Sequence, residues 1–504
     1  MANENVIILN TDDMTAPVLD GTMWGNRLSA YSQYEEQGVP LCSVYVQAYN
    51  RLEKTRYAVE CVLRYTRGID YELILADNGS ADGTFEYFQS VPFDKKKIIR
   101  ATKNFPAAIT NEIYKLCGGK YIVSLANDLY VTENWLSNLL RCLESAPNVG
   151  AAVPMSNNVS NLQEYNLGGW KDFAEMQAKA AAFNVSDPSK WEERLRLVSV
   201  LWIMKRDVLD NVGKMDFAYV HDFMEDDFAI RMRRMGYKLI LCKDTWVCHD
   251  HDFRNMEDKD PAQFQASLES GRRFYREKYH GIDAWDDINN YELQLLAPLD
   301  TWMLPRGEIT ALCVDVRCGT PVLEVRNHLK KRGRTDVKSW AFTTQAKYFL
   351  DLQTTDAKVE CDRIDFIQSH YADETFDIVA LGEPLNTYPT PITFLQRLYN
   401  FTKRGGILMF KLRNTNDFNA LMRSAGLGGN NDGDNPAVMT IDEVGETLKL
   451  FGVKNVNINS EQYTLNQKDL NTIKNWLNKI NPNHNDQTLL KLLTHDYTFS
   501  VVKG

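Results

Sequence analysis

The 504-residue chain is predicted to be an α/β protein carrying two mainly parallel sheets, one in each half. Three observations predict this. Short apolar runs alternate with amphipathic helical stretches from residue 41 onward, the pattern of consecutive βαβ units. A second series of the same kind starts near residue 308, after a charged and mostly helical stretch over 255–302. The length fits two or three domains rather than one.

Residues 1–40 are polar and irregular and are read as an extension. "LCSVYVQAY" is the first strand. The helix "RLEKTRYAVECVLRYT" follows, with Tyr57, Cys61 and Tyr65 at helical spacing. "YELILADN" is the next strand, and "DGTFEYFQSV" the next helix. Asn-Gly and Asp-Gly between them form turns, and Ser80 or Asp82 is placed to cap that helix. "KIIRAT", a helix over 109–117, the strand "KYIVSLAN" and the helix "ENWLSNLLRCLESA" complete the run, with Thr132 as the expected cap of the last. Residues 161–195 are polar and read as a mobile insertion, after which "RLVSVLWIMKR" resumes the sheet pattern. In "FMEDDFAIRMRRMGYK", Phe228, Met232 and Met235 predict the buried stripe of a helix. "KLILCKDTWVCHDHD" is a strand that delivers two histidines. The second series comprises "EITALCVDVRCGT", "FDIVALGEP", "GGILMFKLR" and a closing "YTFSVV".

Composition narrows the function classes. The chain is 44% hydrophobic and 25% charged, an ordinary globular balance, with a net charge of −10. That charge argues against a nucleic-acid binder, while leaving room for a local phosphate pocket. The nine cysteines include no C-x-x-C pair and are read as reduced thiols of a cytoplasmic protein. "MANENVIILNTDD" has no basic n-region, unlike a signal peptide. "LVSVLWIM", at 197–204, is too short to span a bilayer, so no integral membrane segment is expected.

Four polar features could do chemistry, three of them following strands, where such sheets gather ligands, and one starting a helix. Asp77 follows an apolar strand; it is either a turn residue or an acceptor for a nucleobase imide. Asp128 also ends a strand; it is either a helix cap or a ligand for a hard cation on a diphosphate. Glu225, Asp226 and Asp227 start a helix, where acids complement the dipole. Capping needs only one or two, so a third, beside His221 and Asp222, suggests a base. His249 and His251 alternate, which puts both imidazoles on one side of a strand, as metal ligands or as structural groups.

The order of these features resembles glycosyltransferase family 2, enzymes of the GT-A fold. "VYVQAYNR", "ELILADNGSADGT", "ATKNFPAAITNEIYKLCGGKYIVSLANDLYVTENWL", "VPMSNNVSNLQEY" and "IMKRDVLDNVGKMDFAYVHDFMEDDFAIRMRRMGYKLILCKDTWVCHD" are similar to five successive blocks of that family. The resemblance covers about residues 41–255. It implies that Ala48, Tyr49, Arg51, Asp77, Asn104 and Asn127 bind the nucleotide, and that Asp128 and His249 bind Mn2+ or Mg2+. It also implies a general base within the triplet, Asp226 first, then Glu225, with Asp227 the third candidate. The implied reaction is inverting transfer from a nucleotide sugar, a UDP-sugar by family habit and Asp77, to a hydroxyl on a surface glycan or a protein such as flagellin. One departure is Ala126, at the first position of the family's D-x-D segment, which leaves one carboxylate there. A non-catalytic scaffold or regulator is the alternative.

Residues 305–504 resemble a class I methyltransferase domain, through "CVDVRCGTPVLEVRNHLKKRG" and "FDIVALGEPLNTYPTPITFLQRLYNFTKRGGILMF". Arg317 and Pro321 stand where that family has glycines, only Gly319 remains, and "SWAFTTQ" lacks the acid expected for a cofactor ribose. A domain without S-adenosylmethionine is expected; an active methyltransferase is the alternative. Residues 256–304 are read as a helical linker.

Overall fold

The computed structural model describes residues 5–11, 40–216, 219, 222–251, 261–424, 436–480 and 486–504. The chain divides into two compact units, residues 1–289 and 290–504. The stretch read as a linker is therefore shared. The helix Pro261–Lys278 lies in the first unit, and Leu293–Leu296 in the second.

The strands of the first unit are β1 (Val6–Leu9), β2 (Cys42–Ala48), β3 (Tyr71–Asp77), β4 (Lys96–Ala101), β5 (Tyr121–Ala126), β6 (Leu129–Tyr130), β7 (Val149–Ser156), β8 (Trp191–Arg194), β9 (Leu201–Lys205) and β10 (Lys238–His249). Their order is β1-β4-β3-β2-β5-β9-β7-β10-β6, with β8 also on β10. From β1 to β5 all neighbours run parallel. Every residue of β3 and β7 is buried, as expected for strands covered on both faces. Register aligns Ala48 with Asp77 and Gln47 with Ala126, so these strand ends share one sheet edge.

Four local expectations change. The extension contains a strand, β1, which adds to the sheet beside β4. The segment 161–195, read as a mobile insertion, is built into the unit. It forms the helix Phe173–Phe183 and β8, and Asn184 holds the backbone of Trp246 on both sides. Thr132 does not cap the next helix: its buried hydroxyl donates to Trp246 O at 2.6 Å, and Asn134 takes the cap position. Met235 is half exposed because the helix Met224–Arg234 stops before it. Gly236, at φ +88°, turns the chain there, and Tyr237 N donates to Met232 O. Phe228 and Met232 form the buried stripe as expected.

The second unit has β11 (Ile309–Val314), β12 (Val337–Thr343), β13 (Lys358–Cys361), β14 (Phe376–Leu381), β15 (Thr402–Arg413), β16 (Val456–Gln462) and β17 (Thr494–Val502). The order is β13-β12-β11-β14-β15-β17-β16, parallel except for β17 against both its neighbours. This is a Rossmann-like, doubly wound sheet, whose switch point lies between β11 and β14. Among the described residues, no helix is long and apolar enough to cross a membrane.

Candidate active site

The carboxyl edge of β3, β2 and β5 carries a continuous set of contacts. At the β3 end, Asp77 is fully buried. Its Oδ1 accepts from Ser80 N at 2.9 Å. Its Oδ2 makes no hydrogen bond among the described residues and faces Arg100 Nε at 3.5 Å. Burial raises its carboxyl above the usual range, against the Ser80 hydrogen bonds. Asn78 N donates to Ala48 O at 2.8 Å, and Asn78 Nδ2 donates to Asn104 Oδ1 at 2.8 Å. Gly79, at φ +85°, lies against this segment: a Cβ there would meet Lys103 C at 2.7 Å. Tyr49 is nearly half exposed, presenting an aromatic ring at the β2 end.

Asn50 and Arg51 both have left-handed backbones, at φ 55° and 62°. Such conformations cost roughly 1 kcal/mol or more for non-glycine residues. The surrounding hydrogen bonds hold them. Asn50 N donates to Ser80 Oγ, Ala81 N to Asn50 Oδ1, and Asn127 Nδ2 to Asn50 O, at 2.8, 3.0 and 2.9 Å. Asp82 is the common cap: its carboxylate accepts from Leu52 N and Thr84 N, the first residues of two helices. This turn sends the Arg51 guanidinium to Asp128 Oδ2 at 3.0 Å.

Asp128 is buried and lies between β5 and β6. Antiparallel pairing of β6 with β10 sets Leu129 opposite His249, and Asp250 N donates to Asp128 O at 2.9 Å. His249 Nε2 lies 3.6 Å from Asp128 Oδ1, and His251 Nδ1 lies 3.0 Å from Oδ2. Burial pushes the Asp128 carboxyl up, but the two imidazoles outweigh this and hold it well below the usual carboxylate range. His249 Nδ1 meets Asn158 O at 3.0 Å, and the Asn157 side chain both accepts from His249 N and donates to His249 O. Nδ1 is engaged by Asn158 O, which turns Nε2 toward Asp128 as the atom His249 would offer a metal ion. One ligand atom from each of Asp128, His249 and His251 falls within 4.8 Å of the others. One carboxylate oxygen and two ring nitrogens form a donor set that a divalent transition ion accepts.

The acidic triplet splits into three environments. Asp227 is fully buried and bound by Arg231 Nε, Lys278 Nζ and Tyr279 OH at 2.9, 2.5 and 2.6 Å. Asp226 is buried and paired with Arg196 through both carboxylate oxygens. Glu225 is half-buried. Burial, then the Asp226 charge, push its carboxyl up to about 7, with Arg196 opposing in part. Arg196 O accepts from Asn161 Nδ2 at 2.9 Å. The segment 157–163 therefore joins the His249 clamp to the residue that holds Asp226. His221 lies outside the described residues.

Sequence reasoning did not single out Asn157, Asn158 or Arg196. "SNN" carries no metal-ligand pattern, and the Arg196–Asp226 pair spans 30 positions.

In the second unit, Asp315 ends β11 with both oxygens engaged. Thr344 N and Tyr388 OH each donate to it at 2.7 Å. Arg317 Nε donates to Glu383 Oε1 at 2.9 Å beside it.

The first unit is a mixed α/β domain whose mainly parallel sheet gathers the polar groups around Asp77 and Asp128 at one edge. Residues 43–210 match the model of glycosyl transferase family 2, and this part of the chain is a domain of that family. An uncharacterized protein, y4gI, of Sinorhizobium fredii is 22% identical over 271 residues, 51% of this chain and 30% of the relative. The O-antigen biosynthesis protein RfbC of Myxococcus xanthus is 23% identical over 241 residues, 45% of this chain and 19% of the relative. The chain thus spans less than a third of the length of these curated relatives. A mannosyltransferase of Pyrobaculum calidifontis, solved with GDP-Man and Mn2+, gives a TM-score of 0.36 at 15% identity, over 62% of this chain and 95% of its own. A SAM-dependent methyltransferase of Archaeoglobus fulgidus gives 0.31 at 14% identity, over 46% of this chain and 99% of its own.

Proposed function

We propose that the chain is a metal-dependent, inverting glycosyltransferase that takes a sugar from a nucleotide sugar, read as a UDP-sugar, to a hydroxyl acceptor. One observation carries the reading: beside the family 2 match over residues 43–210, contacts run from Asp77 through Ser80 and Asn50 to Asn127, and from Arg51, the residue after Asn50, through Asp128 to His249.

Ala48, Tyr49, Arg51, Asp77, Asn104 and Asn127 hold the nucleotide. The buried Asp77 Oδ2 supports this role, because it has an ion pair with Arg100 at 3.5 Å but no hydrogen bond among the described residues, which leaves it able to accept from a base N–H. Asp128 and His249 would hold the divalent ion, Mn2+ or Mg2+, which when bound supplies positive charge against the leaving diphosphate.

Glu225 is the proposed base. The sequence ranks Asp226 first, but Asp226 is tied to Arg196 and Asp227 to three donors. A carboxyl near 7 is matched to proton transfer at neutral pH. Glu225 removes the acceptor hydroxyl proton as that oxygen bonds to the anomeric carbon. The bond from that carbon to the diphosphate oxygen breaks on the opposite face, the electron pair leaves with the diphosphate, and the anomeric configuration inverts. The similarity to an O-antigen biosynthesis protein supports a surface-glycan hydroxyl as acceptor.

The test is release of nucleoside diphosphate from a panel of UDP- and GDP-sugars with Mn2+ and glycan acceptors. Turnover lost in Asp128→Ala, with the fold retained by circular dichroism, is expected. Absence of both turnover and nucleotide binding would leave a scaffold.

A further inference from the structure

Ala126 removes one carboxylate from the ion site, and His251 stands on that site. The strand alternation that brings His249 to Asp128 continues past the end of β10. His249 and His251 face Asp128, and their rings stack at 4.9 Å and 27°. Asp250, between them, turns the other way: its carboxylate meets Lys54 Nζ at 3.2 Å and Tyr130 OH at 2.7 Å, and its carbonyl accepts from Lys54. These anchors fix the backbone on the amino side of His251. His251 is therefore presented by a built strand end.

Resting on the glycosyltransferase reading for the ion's purpose, we propose that His251 is a third protein ligand, and that the Asp128–His249–His251 set selects a first-row transition ion over Mg2+. Chemistry carries the selectivity. Mg2+ is a hard ion that prefers oxygen and binds through carboxylates and waters. Imidazole nitrogen suits borderline ions such as Co2+, Ni2+ and Zn2+. Exchanging a carboxylate for a neutral imidazole also removes one negative charge, which weakens the attraction that Mg2+ depends on. The remaining carboxylate is further neutralised by Arg51 at 3.0 Å. Two nitrogens and one oxygen thus give the chain a site with a preference different from that of a two-carboxylate site.

The experiment uses the full chain, stripped of metal and without any donor. Co2+ is titrated while its visible d–d absorption is followed, and Mg2+, Mn2+ and Zn2+ are then added as competitors. The expected result is a Co2+ spectrum that about 100-fold excess Mg2+ does not remove and Zn2+ does. His251→Ala should weaken Co2+ binding by about tenfold or more. His251→Asp should narrow the gap between Co2+ and Mg2+ by restoring a second carboxylate. Unchanged Co2+ affinity in His251→Ala, where Asp128→Ala loses the ion, would remove His251 from the ligand set, and Co2+ binding unaffected by either variant would remove the whole set. Displacement of Co2+ by Mg2+ at comparable concentration would remove the selectivity. Thermal unfolding of each variant separates lost ligation from lost fold. Nucleotide binding, measured separately by calorimetry with UDP, tests the glycosyltransferase reading. A chain that binds Co2+ through His251 but never binds nucleotide would keep this inference and lose that reading.

Discussion

At the scale of single residues, Glu225 carries the sharpest expectation. Burial and the neighbouring Asp226 charge push its carboxyl up to about 7 from the ordinary 4.5, so turnover should rise with pH through about 7. The stability effect has the opposite sign. Between 4.5 and about 7 the folded chain keeps a proton that the unfolded chain has released. Stability therefore falls as pH rises across that window. Glu225→Gln should lose turnover by a factor of about 100 or more. The same variant should gain up to about 2 kcal/mol at pH 8, its partial exposure limiting the gain. Denaturant unfolding at pH 5 and pH 8 checks the second part; an equal effect at both pH values would contradict the raised carboxyl. Arg196→Met should move the acidic limb of the pH–rate profile upward, because the guanidinium that now lowers Glu225 would be gone.

At the scale of elements, the end of β10 decides whether the histidines reach Asp128. Asn157 binds both the N–H and the carbonyl of His249, at 2.9 and 3.1 Å. Asn157→Ala should cost about 1–3 kcal/mol in stability and about 10–100-fold in metal affinity. Thermal unfolding and Co2+ titration would read the two effects; full metal affinity with reduced stability would make Asn157 a purely structural clamp. Gly79→Ala should be more damaging than its size suggests. Its Cβ would meet Lys103 C at 2.7 Å from a φ of +85°, so both the DNGS turn and its neighbour Asn104 would have to shift. Loss of UDP binding by calorimetry is the expected readout.

At the scale of the whole molecule, the two units make separate expectations. The second has a Rossmann-like sheet order, but its Asp315 is bound by Thr344 and Tyr388, and Arg317 pairs with Glu383 beside it. A nucleoside ribose would have to displace these groups. Titration with S-adenosylmethionine should give no heat, and a saturable isotherm would restore the methyltransferase alternative for residues 290–504.

The sequence by itself determined the two α/β units, the strands β2 to β5, β9 and β10 of the first sheet but not β6, β7 or β8, and the order of Asp77, Asp128, the acidic helix and His249. It could do so because apolar runs have a period, turns have a chemistry, and strand ends in parallel sheets share an edge. Only the tertiary structure decided which acids remain available. Asp227 is taken by Lys278 and Tyr279 from 51 and 52 positions away, and Asp226 by Arg196 from 30. Such pairings leave no periodic trace along the chain. The pairing of β1, the role of Asn158 and the approach of His251 to Asp128 belong to the same class. Each depends on where a remote backbone comes to rest, and burial, which sets the proton affinity of Glu225, exists only once the chain has folded.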